Sequence, residues 1–133
     1  MGKILEHKHI IIRAEILNPP VEKDLEFMNE WFKELIEDIG MTILLGPYTV
    51  YSNKVGNRGF TGIVAIDTSS ATLHIWDECS PGILQFDLYT CSCLDVKVVL
   101  QKLSYFKPSK VEYKIIDREN GLDILESKIE TLL

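Results

Sequence analysis

"TGIVAIDTSSATLHIWDE", residues 61–78, decides how the rest of the chain folds. Apolar and polar side chains alternate along it with a period of two, the pattern of a strand. The alternation is interrupted once, by the hydroxyl run Thr68, Ser69 and Ser70. Two strands, roughly 60–67 and 70–76, are expected, and so short a connection joins antiparallel neighbours. On a regular second strand Ser70, Thr72, His74 and Trp76 share one side, while Ser69, Ala71, Leu73 and Ile75 share the other. Ser69 and His74 then meet only if the chain bends between them. A hairpin turn is the ordinary use of serine and threonine, whose hydroxyls bond nearby backbone. A bend just before Ser70 would instead expose the peptide bond between Thr68 and Ser69 at a strand end, where strain is stored for function.

Outward from this window the same reasoning places the other elements. "HKHIIIRAEIL" (7–17) is a strand by its β-branched run, and "NPP" (18–20) ends it. From about Val21 a helix follows, because Leu25, Met28, Phe32, Leu35, Ile36 and Ile39 recur at three- and four-residue spacing and Gly40 supplies a left-handed cap. Met28, Trp31 and Phe32 are then packing or subunit-contact residues, and the charges of "EKDLE" (22–26) form a solvated face. Strands near 41–51 and 83–90 flank the central hairpin. A second helix is expected from an N-cap at Asp95, presenting Val96, Val99, Leu100 and Leu103. "VEYKIID" (111–117) is a last strand, and "NGLDILESKIETLL" (120–133) reads as a terminal amphipathic helix or tail. The expected fold class is α+β: a two-layer sandwich, with an antiparallel sheet, two main helices on one face and a possible C-terminal helix. No repeat or linker divides residues 1–133, so a single domain is expected.

Composition excludes several function classes. The net charge is −6 and the lysines are scattered, which argues against nucleic acid as a partner. With no apolar run of eighteen residues and no secretory leader, the expectation is a soluble, cytoplasmic protein without a membrane partner. Three cysteines, Cys79, Cys91 and Cys93, do not form a disulfide framework and are expected as thiols. Together with His74 they make up a possible zinc ligand set, but Cys-x-Cys is not the usual Cys-x-x-Cys knuckle and no metal is expected. Taken alone, His74 on a half-buried strand is more often a hydrogen-bonded packing residue, and Cys91 a small buried hydrophobe.

The window resembles the processing region of the S-adenosylmethionine decarboxylase family, in its short bacterial and archaeal form. "TGIVAIDTSSATLHIWDE" matches that region without a gap from Thr61 to Glu78, and "FDLYTCS" (86–92) follows after two extra hairpin residues. The resemblance implies that Ser69 is the self-processing serine. Its hydroxyl would attack the Thr68 carbonyl, and elimination would leave chains 1–68 and 69–133 with a pyruvoyl group at position 69. Thr61 would match the family's second processing hydroxyl, His74 the histidine that assists elimination, and Cys91 the proton donor in catalysis. Glu15 resembles an acidic strand residue and is carried as a possible substrate contact. Four positions depart from the family pattern: Thr68 stands for glutamate, Ser70 for the bacterial histidine, Asp77 for proline and Ser92 for glycine.

The implied chemistry is intelligible. An amino acid loses CO₂ only if the electrons left behind can be delocalised, and a ketone joined to the substrate amine as a Schiff base provides that sink. A weak acid such as a thiol must then return a proton. The implied substrate is S-adenosylmethionine, in polyamine synthesis, and the implied assembly a homodimer with active sites near the interface. Two alternatives stay open: the same machinery acting on arginine or ornithine, and an unprocessed, non-catalytic homologue that binds S-adenosylmethionine or regulates a partner.

Overall fold

A computed structural model describes residues 7–91, 93 and 95–132. Seven strands form one sheet: β1 (Lys8–Ile16), β2 (Ile43–Ser52), β3 (Gly59–Ile66), β4 (Ser69–Trp76), β5 (Gly82–Thr90), β6 (Pro108–Asp117) and β7 (Ile124–Thr131). Their spatial order is β2-β3-β4-β5-β1-β6-β7, and every neighbouring pair is antiparallel. Among the described residues the sheet is joined by two α-helices, α1 (Leu25–Asp38) and α2 (Val96–Leu103). The expected α+β architecture is present.

Both helices are built as their sequence spacing dictates. Met28, Trp31, Phe32, Leu35 and Ile36 form the buried stripe of α1, and Val99 and Leu103 that of α2. Before α1 a single 3₁₀ turn (Glu22–Asp24) starts where the Asp24 carboxylate accepts the Val21 N–H at 2.8 Å. At the other end Gly40, with φ +77°, lets the Met41 N–H reach the Ile36 carbonyl and its own N–H reach that of Glu37, a Schellman closure. Asp95 caps α2 by accepting the Lys97 N–H at 2.9 Å.

Alternation along the strands gives the sheet two unlike faces. Ile10, Ile12, Ala14 and Ile16 of β1, Ala71, Leu73 and Ile75 of β4, and Leu84, Phe86 and Leu88 of β5 are buried with the helix stripes in one core. Phe32 packs edge-on to Phe86 with ring centroids 6.3 Å apart, and Trp31 sits 4.9 Å from Phe106. Truncating a ring in such a core costs about 3–5 kcal/mol. Among the described residues no helix lies on the opposite face, and apolar side chains lie open on it: Ile11 is 44% exposed, Ile63 50% and Ile129 69%.

The C-terminal segment corrects the sequence reading. Residues 124–131 are strand β7, hairpinned onto β6 from Lys110↔Thr131 to Ile116↔Ile124, and not a helix. Leu125 and Ile129 have a helical spacing, but Asn120-Gly121 opens a turn in which Gly121 and Leu122 take φ +88° and +56°. Among the described residues, no helix is long and apolar enough to cross a membrane.

Candidate active site

The interruption at Thr68 to Ser70 proves to be both a turn and a point of strain. β3 and β4 pair up to Ile66↔Ser69, so Asp67 and Thr68 alone make the connection. Thr68 takes φ +55°, a left-handed conformation that costs an ordinary L-residue about 1–2 kcal/mol and is rarer still for a β-branched one. The strained residue immediately precedes Ser69.

A thiol from another strand end meets this turn. β5 lies beside β4, and the chain just beyond Thr90 brings Cys91 over the hairpin. Cys91 Sγ lies 2.5 Å from Thr68 Oγ1 and 3.7 Å from Ser69 Oγ, and the Cys91 N–H donates to Ser69 Oγ at 3.3 Å. The Thr68 hydroxyl donates to the Asp67 carbonyl at 2.8 Å, so its single proton is committed. The thiol therefore donates to Thr68 Oγ1, and the Ser69 hydroxyl donates to sulfur. The Ser69 hydroxyl, the Cys91 thiol and the Thr68 hydroxyl thus donate in sequence away from Ser69 Oγ, while the Cys91 N–H donates into that atom. Ser92 lies outside the described residues.

Thr61 and His74 form a second centre. They stand opposite each other on β3 and β4, and Thr61 Oγ1 shares a hydrogen bond with His74 Nδ1 at 3.2 Å. Both point to the open face, above a hollow of about 280 Å³ walled by Asn57, Phe60 and Trp76. No bend brings His74 back to Ser69. β4 is regular between them, so five residues separate the two by about 16 Å. Glu15 is further away, at the end of β1 opposite to Thr90, where its carboxylate accepts from Arg13 at 3.1 Å.

Beyond Trp76 the chain is held rigidly. Asp77, whose side chain is only 2% exposed, accepts from Arg58 Nε at 2.6 Å and from the Tyr51 hydroxyl at 2.7 Å. Burial, then the Asp77 hydrogen bond, push the Tyr51 hydroxyl up to about 12. Glu78 accepts the backbone N–H groups of Arg58 and Gly56, which hold its carboxyl below the usual range. Gly59 is the tight point of this junction: with φ +150°, a Cβ there would stand 1.7 Å from the Ile75 carbonyl oxygen. Asp77, a mere departure in sequence, is here the centre of a clamp on loop 53–58.

Sequence reasoning also missed a polar network on the open face. His9 Nε2 lies 3.2 Å from Asp87 Oδ1, the Thr72 hydroxyl donates to Asp87 Oδ2, and Arg118 reaches His9 Nδ1 at 3.0 Å. The Arg118 guanidinium stacks 4.5 Å above the Tyr89 ring. The His9 hydrogen bond, more than that from Thr72, holds the Asp87 carboxyl below its ordinary range against the opposing effect of burial. Alternate polar residues on β1 and β5 were the available signal, but only the register Ile11↔Asp87 and His9↔Tyr89 makes them neighbours.

A strained, hydroxyl-bearing turn is thus pressed against a thiol in an α+β sandwich, and the family that the sequence matches makes the enzyme class a carboxy-lyase. The family model described as S-adenosylmethionine decarboxylase matches residues 8–119, and the chain belongs to that family. It is similar to the S-adenosylmethionine decarboxylase proenzyme of Clostridium botulinum (strain Loch Maree / Type A3), 28% identical over 123 residues, covering 92% of this chain and 95% of that one. The proenzyme of the same description from Archaeoglobus fulgidus is 28% identical over 116 residues, covering 84% and 96%. That of Thermodesulfovibrio yellowstonii is 27% identical over 119 residues, covering 84% of each.

Proposed function

We propose that the chain cleaves itself between Thr68 and Ser69 and then decarboxylates S-adenosylmethionine for polyamine synthesis. The observation that carries this reading is the convergence, at one peptide bond, of a left-handed Thr68 and a Ser69 hydroxyl that already donates to Cys91 sulfur. Attack of Ser69 Oγ on the Thr68 carbonyl carbon forms an ester as the Thr68–Ser69 amide C–N bond breaks, and the proton from the hydroxyl passes to the freed Ser69 amine. Loss of the Ser69 α-proton expels the Thr68 carboxylate, and hydrolysis with release of ammonia leaves the pyruvoyl group at 69. The residues present fit that group, since Ser69 is its precursor and the Cys91 N–H and thiol flank the position. Once formed, the pyruvoyl group supplies the electron sink for loss of CO₂. The role left to Cys91 is to return a proton to the product carbon, at a distance its present contact with Ser69 makes short.

His74 and Thr61 cannot serve Ser69 of their own chain across about 16 Å of regular strand. A second copy, packed by its open sheet face, would bring its own Thr61–His74 pair to the first copy's Ser69. The exposed Ile11, Ile63 and Val50 on that face are the apolar surface such a homodimer would cover. The site is then incomplete in one protomer, and the single domain 1–133 is half of the working unit.

Release of CO₂ from carboxyl-labelled S-adenosylmethionine, abolished by borohydride reduction of the ketone, is the expected result. Release from arginine or ornithine alone moves the same chemistry to a basic amino acid. No release from any of the three leaves the non-catalytic homologue.

A further inference from the structure

We propose that Arg118 is the group that recognises the α-carboxylate of the amino-acid substrate. This rests on the reading above, in which the substrate's amino group engages residue 69.

The open face beside the 68–69 bond carries one row of residues across the sheet: Ser70 opposite Tyr89, Tyr89 opposite His9, and His9 opposite Ile116. Adjacent strands lie about 4.8 Å apart, so Tyr89 is one strand spacing from the residue that follows Ser69. Arg118 is held over this spot from three directions. Its backbone N–H donates to the His7 carbonyl at 2.8 Å, its guanidinium lies 4.5 Å from the Tyr89 ring centroid, and NH1 donates to His9 Nδ1 at 3.0 Å. His7 Nδ1, 2.7 Å from the Tyr89 hydroxyl, fixes the ring beneath it.

The direction of these bonds matters. Arginine only donates, so His9 Nδ1 accepts and the imidazole carries its proton on Nε2, where it donates to Asp87. Both Asp87 oxygens are then engaged, one by His9 and the other by Thr72. The guanidinium is oriented by an aromatic face and a histidine, and one of its five donors meets His9. Its planar fork suits two parallel bonds to a carboxylate.

An α-carboxylate stands two bonds from the amino nitrogen. With that nitrogen at residue 69, a carboxylate turned toward the open face would stand over Ser70, one strand spacing from its partner Tyr89 and inside the reach of a side chain lying on that ring. S-adenosylmethionine and basic amino acids all carry this group, so the assignment does not depend on which is used. Because the carboxylate departs as CO₂, Arg118 meets it in the ground state, and its loss raises KM more than it lowers kcat.

Calorimetric binding of S-adenosylmethionine and of its decarboxylated counterpart to the purified chain tests this, with arginine and its decarboxylated amine as a second pair. The wild type is expected to bind the carboxylated member of at least one pair more tightly. Arg118→Gln should weaken that member by ~10–100-fold and leave the decarboxylated member unchanged, and Arg118→Lys should recover part of the loss. Equal losses for both members, or no wild-type preference, would overturn the assignment. A chain that stays in one piece yet shows the Arg118-dependent preference retires self-processing and keeps the carboxylate site. A chain that cleaves and releases CO₂ with the preference untouched by Arg118→Gln does the reverse.

Discussion

At its first residue β4 follows a threonine held at φ +55°, with hydroxyls and a thiol crowded on the bond that joins them. At its last residue the same strand runs into Asp77, which is buried, accepts from Arg58 and Tyr51, and ties loop 53–58 down. One end therefore stores strain next to the Ser69 hydroxyl, and the other holds the chain immobile with two charge-assisted hydrogen bonds. The contrast teaches that in this chain an ion-pair clamp centred on Asp77 fixes the segment beyond the strand. It also explains why the hydroxyl end tolerates Thr68 in a conformation that a free turn would relax: the β3 and β4 ladder runs unbroken to Ile66↔Ser69 and leaves the turn only two residues.

Substitutions at the two ends should separate these roles. The largest effect is expected from Ser69→Ala, which removes the oxygen proposed to attack: cleavage and CO₂ release should disappear while the circular dichroism of the fold is unchanged. His74→Ala should slow cleavage by ~10²–10⁴-fold, the usual worth of an acid–base group. Mixing that variant with Ser69→Ala should restore cleavage in one protomer of each mixed pair. No restoration on mixing would break the assignment of His74 to the partner's site. Asp77→Ala should leave Ser69 chemistry within a few-fold of normal but lower unfolding stability by about 1–3 kcal/mol in urea titration, because it strips a buried acceptor from Arg58 and Tyr51. Thr68→Gly relaxes the left-handed residue and should slow cleavage by about tenfold, matching a strain of ~1–2 kcal/mol.

The smallest effect concerns acid. Asp87 is held below its ordinary value by His9 and Thr72, so its contribution to stability is present above the unfolded pKa, near ~4, and is lost as pH falls through the lower folded value. Urea unfolding at pH 6 and pH 3 should show a smaller acid loss in Asp87→Asn than in the wild type.

The helices and the central hairpin were legible because their signals are local: Gly40 and Asp95 do cap helices, and Ile66↔Ser69 closes where the hydroxyl run interrupts the alternation. The terminal strand was not, because Leu125 and Ile129 satisfy a helical spacing and only pairing with β6 decides between the two periods. The meeting of Ser69 with Cys91 was accessible through family resemblance alone, since the two residues are 22 apart in sequence. The His9, Asp87 and Arg118 network was hidden for the same reason without that help: its members are 78 and 109 residues apart, and register rather than pattern brings them together.

Intact-mass analysis of the purified full-length chain after prolonged incubation tests the central claim most directly. Two fragments meeting at 68/69, with the second lighter by conversion of its first serine to a ketone, are the predicted result. A single full-length mass that persists would contradict it.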